Sequence, residues 1–468
     1  MNATRTLTQA RKKSLADNFR LCTADGIYAV PLVMMTLPVN VVLAALFTKA
    51  IPLSTAALGF ITSLPFMCNF LQLAVSPLLA RWFSAKMISI GTSACGTVCW
   101  AAFAVMLSFL PGDNPEVAAR WIAGWFFVTS FFAALTGVGW NAWVQEWVPV
   151  RLRGKYFGRR NRLLQIANMA FLLLAGWVLA KWDYAIPAFQ TVIVFGIGLR
   201  LLSLRAQWRM ETQPRTRAAV RTGTLRDQVW LLGQSRSFLL FILFGAVWSF
   251  AANVFGPFYH KFMLDRMGQS AFDIGLISTF GALGAALSMP AWGQLIDRFG
   301  NKSVMAVSLI LWQVQNYLWC FLTPGMDAWL YGMWIWGGMT NAGFVLGMFT
   351  LLLKLIPAGA KNLAIGANLA LTSLVAAIAP ILGGAALEWG LSREGADPLA
   401  VYHACFAVQP TIALAGALLL LRIEEPAAAA FSIVVGAMRN VRMLSGVFGF
   451  GPLINYIFYK PRKPAAKK

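Results

Sequence analysis

Long apolar runs recur along this chain, and each is close to the length of a helix that crosses a lipid bilayer. Such a helix needs about 20 mostly apolar residues. Twelve runs meet that condition, which predicts an all-α polytopic membrane protein with twelve transmembrane helices. The predicted spans are residues 24-48, 53-80, 87-110, 119-146, 163-181, 187-207, 237-262, 273-293, 303-323, 328-353, 363-388 and 401-422.

The balance of charged and apolar residues supports this class. Hydrophobic residues make up 59% of the 468 positions and charged residues 12%. A soluble domain carries roughly twice that charged fraction, so a disordered chain, a coiled coil and most soluble enzymes are excluded. The net charge of +22 would suggest a nucleic-acid partner in a soluble protein. Here the cations lie mostly between the apolar runs, which indicates membrane topology and no nucleic acid.

The positive charges also predict an orientation. With both termini in the cytoplasm, 33 of the 39 Lys and Arg residues lie on the cytoplasmic side, as the positive-inside rule requires. A polar stretch divides the spans into two sets of six. The predicted organisation is a cytoplasmic segment 1-23, a bundle 24-207, a loop 208-236, a bundle 237-422 and a cytoplasmic tail 423-468 with an interfacial amphipathic helix.

Two internal repeats relate the halves. Residues 59–86 and 275–302 both start with Gly near the beginning of an even-numbered span and end with Lys in a basic loop. Pro149 and Pro357 form a second pair, and each is followed by a glycine nine residues later. Parallel repeats of six spans describe a transporter architecture. The sequence therefore predicts two pseudo-symmetric six-helix bundles.

The end of the second repeat reads Gly-Gln-Leu-Ile-Asp-Arg-Phe-Gly-Asn-Lys over residues 293–302. It resembles the G-x-L-x-D-R-x-G-x-K/R loop of the major facilitator superfamily, and the resemblance extends over all twelve spans. In the family the stronger copy follows span two, but here that copy has Arg81 and Ser84 in place of Asp and Gly. The resemblance implies a latch between helices, made by Gly293, Asp297, Arg298, Gly300 and Lys302. The alternative is a loop that only anchors topology.

Two charged residues occupy matching positions in the repeats. Glu146 and Lys354 each lie three residues before a repeat proline, at the predicted inner ends of spans four and ten. We expect them to form an ion pair that closes the cytoplasmic side of a central cavity and weakens when Glu146 is protonated. Alternatively, they are unrelated interfacial charges.

Asp25 begins the first span, next to Gly26. A carboxylate within a membrane segment is unfavourable unless it has a function, so Asp25 is a candidate proton site or cargo contact. An interfacial residue just outside the span is the alternative.

The resemblance implies that spans one, four, seven and ten line the cargo cavity. Polar amides on these spans need partners in hydrocarbon, and aromatic rings there can stack on cargo. Contacts between helices are the alternative role. The predicted substrate-binding residues are Tyr28, Asn40, Trp140, Asn141, Asn253, Tyr259, Trp336 and Asn341.

These features together favour a secondary transporter that moves a small polar organic solute by alternating access. Proton coupling is expected because the chain has no nucleotide-binding motif. A drug/proton antiporter and a non-transporting assembly or cofactor-delivery protein on the same fold are the alternatives. No enzyme activity, cofactor or metal site is predicted, because convergent His, Asp or Glu clusters are lacking. A monomer in the bacterial inner (cytoplasmic) membrane is expected.

Overall fold

The computed structural model describes residues 2–111, 114–211, 224–425 and 428–438. Within these ranges it contains sixteen α-helices and no strand. The helices are α1 (Asn2–Met35), α2 (Val41–Ala45), α3 (Thr55–Trp82), α4 (Ala85–Met106), α5 (Pro115–Trp147), α6 (Val150–Lys181), α7 (Ile186–Arg209), α8 (Leu225–Gln234), α9 (Arg236–Val254), α10 (Phe258–Asp265), α11 (Ala271–Phe299), α12 (Asn301–Asn316), α13 (Asp327–Leu355), α14 (Lys361–Leu391), α15 (Pro398–Leu421) and α16 (Phe431–Met438).

Eleven helical segments of the described chain are long and apolar enough to cross a membrane. They coincide with predicted spans two to twelve. The first predicted span falls on the last turns of α1, on α2 and on a π-helical turn, Leu46–Ala50. The predicted all-α class with twelve spans is confirmed.

Span one is interrupted after Met35. Pro38 lies in the break, and Asn40 has an extended backbone with φ −148°. The Asn40 side chain accepts a hydrogen bond from Leu43 N and donates to Met35 O at 3.1 Å and Leu37 O at 2.7 Å. It thereby satisfies backbone groups that the break leaves without helical partners. The Asn40 amide is therefore already hydrogen-bonded within the protein, and its predicted role in substrate binding stays a prediction.

Span seven is interrupted at the corresponding place. Helix α9 ends at Val254, and α10 begins after Pro257. The two short helices that follow the breaks, α2 and α10, contact each other, and Lys49 Nζ lies 3.8 Å from the Asp265 carboxylate. Matching breaks in spans one and seven are consistent with the predicted repeat.

Helix α3 and the end of α9 both pack closely against α14. A Cβ atom at Gly59 would overlap the Pro380 carbonyl, and one at Gly383 would overlap the Val254 carbonyl. At the end of the same contact, Glu388 Oε2 accepts hydrogen bonds from Thr55 N and Thr55 Oγ1, both at 2.7 Å. The carboxylate thus caps the N-terminus of α3, where helix partial charge is positive.

The described chain forms two compact units. The first comprises Met1–Arg221, Asn253–Leu276 and Leu369–Ala396, and the second comprises Thr222–Ala252, Ile277–Asn368 and Asp397–Lys468. The bundles expected at 24-207 and 237-422 differ from these units, because parts of spans seven, eight and eleven group with the first unit, and the bundle boundaries stay a prediction.

The expected loop 208-236 and the expected tail 423-468 are described in part. Helix α8 lies within the expected loop 208-236, of which residues 212–223 are outside the described residues. Helix α16 lies within the expected tail 423-468, of which residues 426–427 and 439–468 are outside the described residues. The interfacial amphipathic helix therefore stays a prediction.

Candidate functional site

A cavity of about 830 Å³ lies within the first unit. Residues of α1 and α3 to α7 line most of it. Asp25, Arg160 and Arg200 are the charged residues of the lining, and much of the remaining surface is apolar. Other polar lining residues are Thr36, Asn69, Gln72, Thr92, Ser93, Thr97, Thr129, Ser130, Thr136, Asn141, Asn161, Gln165, Asn168 and Gln207.

Asp25 lies inside the helix packing and is 2% exposed. Its Oδ1 accepts hydrogen bonds from Ser203 Oγ at 2.7 Å and Gln207 Nε2 at 2.9 Å, and its Oδ2 accepts one from Trp140 Nε1 at 3.1 Å. These donors come from α5 and α7. Three hydrogen bonds offset much of the desolvation of a buried carboxylate. This burial favours the functional interpretation of Asp25 over the interfacial one.

Arg200 on α7 continues the same hydrogen-bonded chain. It is 7% exposed, and it donates to Ser203 Oγ at 3.0 Å and to Ser93 Oγ at 2.7 Å. Ser203 therefore accepts from the guanidinium and donates to Asp25, which links the opposite charges through one hydroxyl. Arg200 is one of the 33 Lys and Arg residues that the predicted topology assigns to the cytoplasmic side. Positions 200, 203 and 207 share one helix face, and that spacing within an apolar run was the available signal.

Arg160 on α6 is the third buried charge, at 8% exposure. Its Nε donates to Cys22 O at 3.2 Å, and its guanidinium carbon lies 4.5 Å from the centroid of a Trp140 ring. Gly26 provides the space, because a Cβ there would overlap the guanidinium. In the sequence Arg160 lies between predicted spans four and five, and no motif distinguishes it from the exposed Arg159 beside it.

The predicted cargo residues are divided among several places. Trp140 and Asn141 line the cavity with Asp25, and Asn141 Nδ2 donates to Gly137 O at 2.8 Å. Tyr28 lies on α1 outside this lining. Asn253 lies on α9, Tyr259 on α10, and Trp336 and Asn341 on α13. Their roles stay predictions.

The predicted gate residues belong to different units. Glu146 lies on α5 in the first, and Lys354 lies on α13 in the second. Lys354 Nζ contacts Glu425 Oε1 at 2.9 Å. Because Glu425 already binds this ammonium group, an ion pair of Lys354 with Glu146 would compete with that contact. The Glu146–Lys354 pair stays a prediction.

The loop between α11 and α12 binds the segment after α15. Gly300 has φ +86°, a conformation that favours glycine, and it begins the turn into α12. Glu425 accepts hydrogen bonds there from Asn301 N at 3.1 Å, Asn301 Nδ2 at 2.7 Å and Lys302 N at 2.7 Å. Lys302 Nζ donates to Ile423 O at 2.9 Å.

The other members of the predicted latch differ in exposure. Gly293 is partly buried near the end of α11, whereas Asp297 and Arg298 are exposed on its last turn. The Arg298 guanidinium carbon lies 5.0 Å from the Phe299 ring centroid. A latch through Asp297 stays a prediction. Glu425, which no sequence pattern indicated, accepts the hydrogen bonds that this loop donates.

These contacts change the pKa of the Glu425 carboxyl. Burial raises the pKa of its carboxyl, whereas the hydrogen bonds from Lys302 N, Lys354 Nζ and Asn301 lower it. Together the hydrogen bonds outweigh burial, so the pKa lies below the ordinary 4.5. The carboxylate is therefore the stable form of Glu425 at neutral pH.

Comparison with known proteins agrees with the helical architecture. The Major Facilitator Superfamily model matches residues 242–461, which include predicted spans eight to twelve and most of span seven. The chain has the major facilitator superfamily fold. No curated protein matches it.

Solved structures extend the likeness over both halves of the chain. The nucleoside transporter NupG, as a mutant, is 15% identical with a TM-score of 0.66, covering 86% of this chain and 100% of that one. The xylose transporter XylE from E. coli is 13% identical with a TM-score of 0.63, covering 90% and 99%. A bacterial homologue of the iron transporter ferroportin is 16% identical with a TM-score of 0.61, covering 88% and 99%. Identities this low establish the fold alone. The apolar helices and the family match indicate a multi-pass membrane protein.

Proposed function

We propose that this protein is a proton-coupled secondary transporter that moves a small polar organic solute across the membrane by alternating access. The observation that carries the proposal is the cavity around Asp25, Arg160 and Arg200. Each of these side chains is less than a tenth exposed although it lies among membrane-spanning helices. Charges at such depth are unfavourable and mark substrate or ion pathways.

Asp25 is the proposed proton site. Among the described residues, its two oxygens face three donors and no cation directly. A proton on Asp25 would displace at least one of these donors, because a carboxyl O–H must itself find an acceptor. Displacing Ser203 would also change the environment of Arg200, which shares that hydroxyl. Protonation would thus be coupled to the arrangement of α1 and α7 around the cavity.

The proposed transporter also has a defined orientation and a cytoplasmic gate. The distribution of Lys and Arg favours the bacterial inner membrane with both termini cytoplasmic. The Glu146–Lys354 pair would close the cytoplasmic side in one state, and Lys354 would return to Glu425 in the other. A single chain provides the whole cavity in the first unit, which favours a working monomer.

The test is transport by purified protein in liposomes that enclose a pH-sensitive dye. Sugars, amino acids, nucleosides and organic acids are added outside in turn. We expect one class to enter and to move protons with it. Asp25→Asn should abolish the proton movement, whereas Asp17→Asn, an exposed carboxylate on the same helix, should leave it unchanged.

Three outcomes would overturn the proposal. Proton movement that is unchanged in Asp25→Asn would exclude the proton site. Drug-driven proton exchange without uptake of any solute would support the antiporter. Folded protein that moves no class of solute would support the non-transporting assembly or cofactor-delivery protein.

A further inference from the structure

The charges that line the cavity do not cancel. Two guanidinium groups and one carboxylate are present, so the lining carries a net charge of +1 when all three are ionised. Asp25 and Arg200 share Ser203, and each also has further hydrogen-bond partners. This pair is therefore satisfied within the protein, and the surplus charge belongs to Arg160.

Arg160 is held rigidly but incompletely. Its Nε donates to Cys22 O, and its plane is positioned against Trp140. Neither terminal nitrogen donates to an oxygen atom of the described residues, although the side chain is 8% exposed and lines the cavity. These donors are therefore available in the cavity to an acceptor on a ligand, which would replace water there.

The chemistry of the missing acceptor follows from that geometry. The two terminal nitrogens of an arginine form a planar fork that fits the two oxygens of a carboxylate or phosphate. Because Cys22 O and Trp140 already fix the guanidinium, little side-chain entropy is lost when such a group binds. An anionic group would also bring the net charge of the lining to zero.

The rest of the cavity suits a carbon body. Along the first span the lining changes from the charged Asp25 to the apolar Val33 on α1 and to Leu37 and Pro38 in the break after it. Phe66 of α3 also contributes to the lining. We propose that the cargo is an organic anion whose single carboxylate or phosphate binds Arg160 and whose body lies toward this apolar end. This inference rests on the proposed transport function, which it makes specific.

The test compares each anion with its neutral counterpart. Purified full-length protein is titrated with benzoate and benzamide, hexanoate and hexanamide, lactate and lactamide, and glucose 6-phosphate and glucose. Thermal stabilisation and calorimetry measure binding to the folded protein. Because the proposed contact recognises the anionic group itself, we expect at least one anion to bind 10-fold or more tightly than its neutral partner.

Substitutions at Arg160 test whether this residue causes the preference for the anion over its neutral counterpart. Arg160→Gln should lose at least 10-fold in anion affinity and bind the neutral partner unchanged, and Arg160→Lys should retain part of the preference. Arg159→Gln removes an exposed arginine next to it on the same helix and should change nothing. If Arg160→Gln does not fold, Arg160→Lys alone carries the comparison, because it keeps the charge and loses the fork.

The outcomes separate this inference from the proposed function. Preferential binding or uptake of neutral or cationic solutes would overturn the anion while leaving transport intact. An anion preference that survives in Arg160→Gln would also overturn it. Arg160-dependent binding without flux in liposomes would leave the anion site standing and overturn transport. Dioleoyl phosphatidate vesicles distinguish a lipid phosphate from a soluble anion, and competition only by the lipid would overturn a soluble cargo.

Discussion

Asp25 in the first unit and Glu425 in the second are both buried carboxylates with several donors, but their surroundings differ. The donors to Asp25 are side chains from two other helices, and a large cavity adjoins them. Glu425 accepts two backbone N–H groups at the start of α12, and its Lys354 partner is on α13. Backbone donors cannot leave without unwinding a helix, whereas side-chain donors can change rotamer. The same chemistry thus suits a switch in one unit and a fixed connection in the other.

The largest expected effect comes from removing one of the two charges that Ser203 links, Asp25 or Arg200. Arg200→Gln leaves the Asp25 carboxylate buried without the cation that it reaches through Ser203. Removing one partner of a directly paired buried ion pair costs about 3–5 kcal/mol, which is the upper limit for this linked pair. Asp25→Asn likewise leaves the Arg200 guanidinium buried without its counter-charge. We expect the double variant to lose less stability than the sum of the single variants, because it removes both charges. Melting temperatures in detergent measure all three.

If the stability loss of the double variant equals the sum of the losses of the two single variants, the Ser203 hydroxyl does not couple the two charges. Arg205→Gln is a control on the same helix, where the side chain is exposed. It should leave the melting temperature close to that of the wild type.

Glu425→Gln tests the fixed connection. The amide retains one acceptor oxygen but loses its charge, and its NH₂ group would face the N–H donors of Asn301 and Lys302. Because hydrogen bonds to charged groups contribute about 1.5–3 kcal/mol each, we expect a loss of roughly 2–4 kcal/mol. Binding in the first-unit cavity should not change. Glu424→Gln, the exposed neighbour, serves as control.

A drop in cavity binding caused by Glu425→Gln would contradict the separation of roles. It would mean that Glu425 influences the first unit as well as the loop that it caps. Calorimetry with the best anion of the panel, performed on both variants, decides this.

The pH dependence of stability sharpens the same contrast. The pKa of Glu425 is lower in the folded protein than its ordinary 4.5. A lowered pKa contributes stability above the unfolded value, and that stability is lost as pH falls through the folded value. We therefore expect the difference in melting temperature between wild type and Glu425→Gln to be constant above about pH 5 and to shrink below 4.5. A difference that grows on acidification would contradict this assignment.

The sequence predicted the fold well because hydrophobic length is a local signal. Eleven of the twelve predicted spans coincide with long apolar helices, and the twelfth differs where Asn40 caps a break within it. The break depends on hydrogen bonds back to Met35 and Leu37, which hydropathy does not register.

The site was predictable only in part, because it depends on which helices meet. A carboxylate in a span is unusual enough that Asp25 could be selected from the sequence, and the structure places Trp140 beside it. Arg160 could not be separated from the basic residues near it, since burial is a property of the packed helices. Arg200 had only the weak signal of its spacing with Ser203 and Gln207. Glu425 was missed because its partners are backbone groups more than 120 residues away.

The smallest expected effect comes from moving Arg160 without removing it. A Cβ at Gly26 would overlap the Arg160 guanidinium and the Leu164 side chain. Both are flexible ends, so Gly26→Ala should fold, with a loss of about 1 kcal/mol or less because alanine favours the helix. Displacing the fork should lower the affinity of the best anion about 5-fold, equal to roughly 1 kcal/mol. Gly137→Ala, also in the lining but with open space around its Cβ, should bind like the wild type. Equal losses in the two variants would show that alanine in the cavity lining, and not the position of Arg160, determines anion affinity.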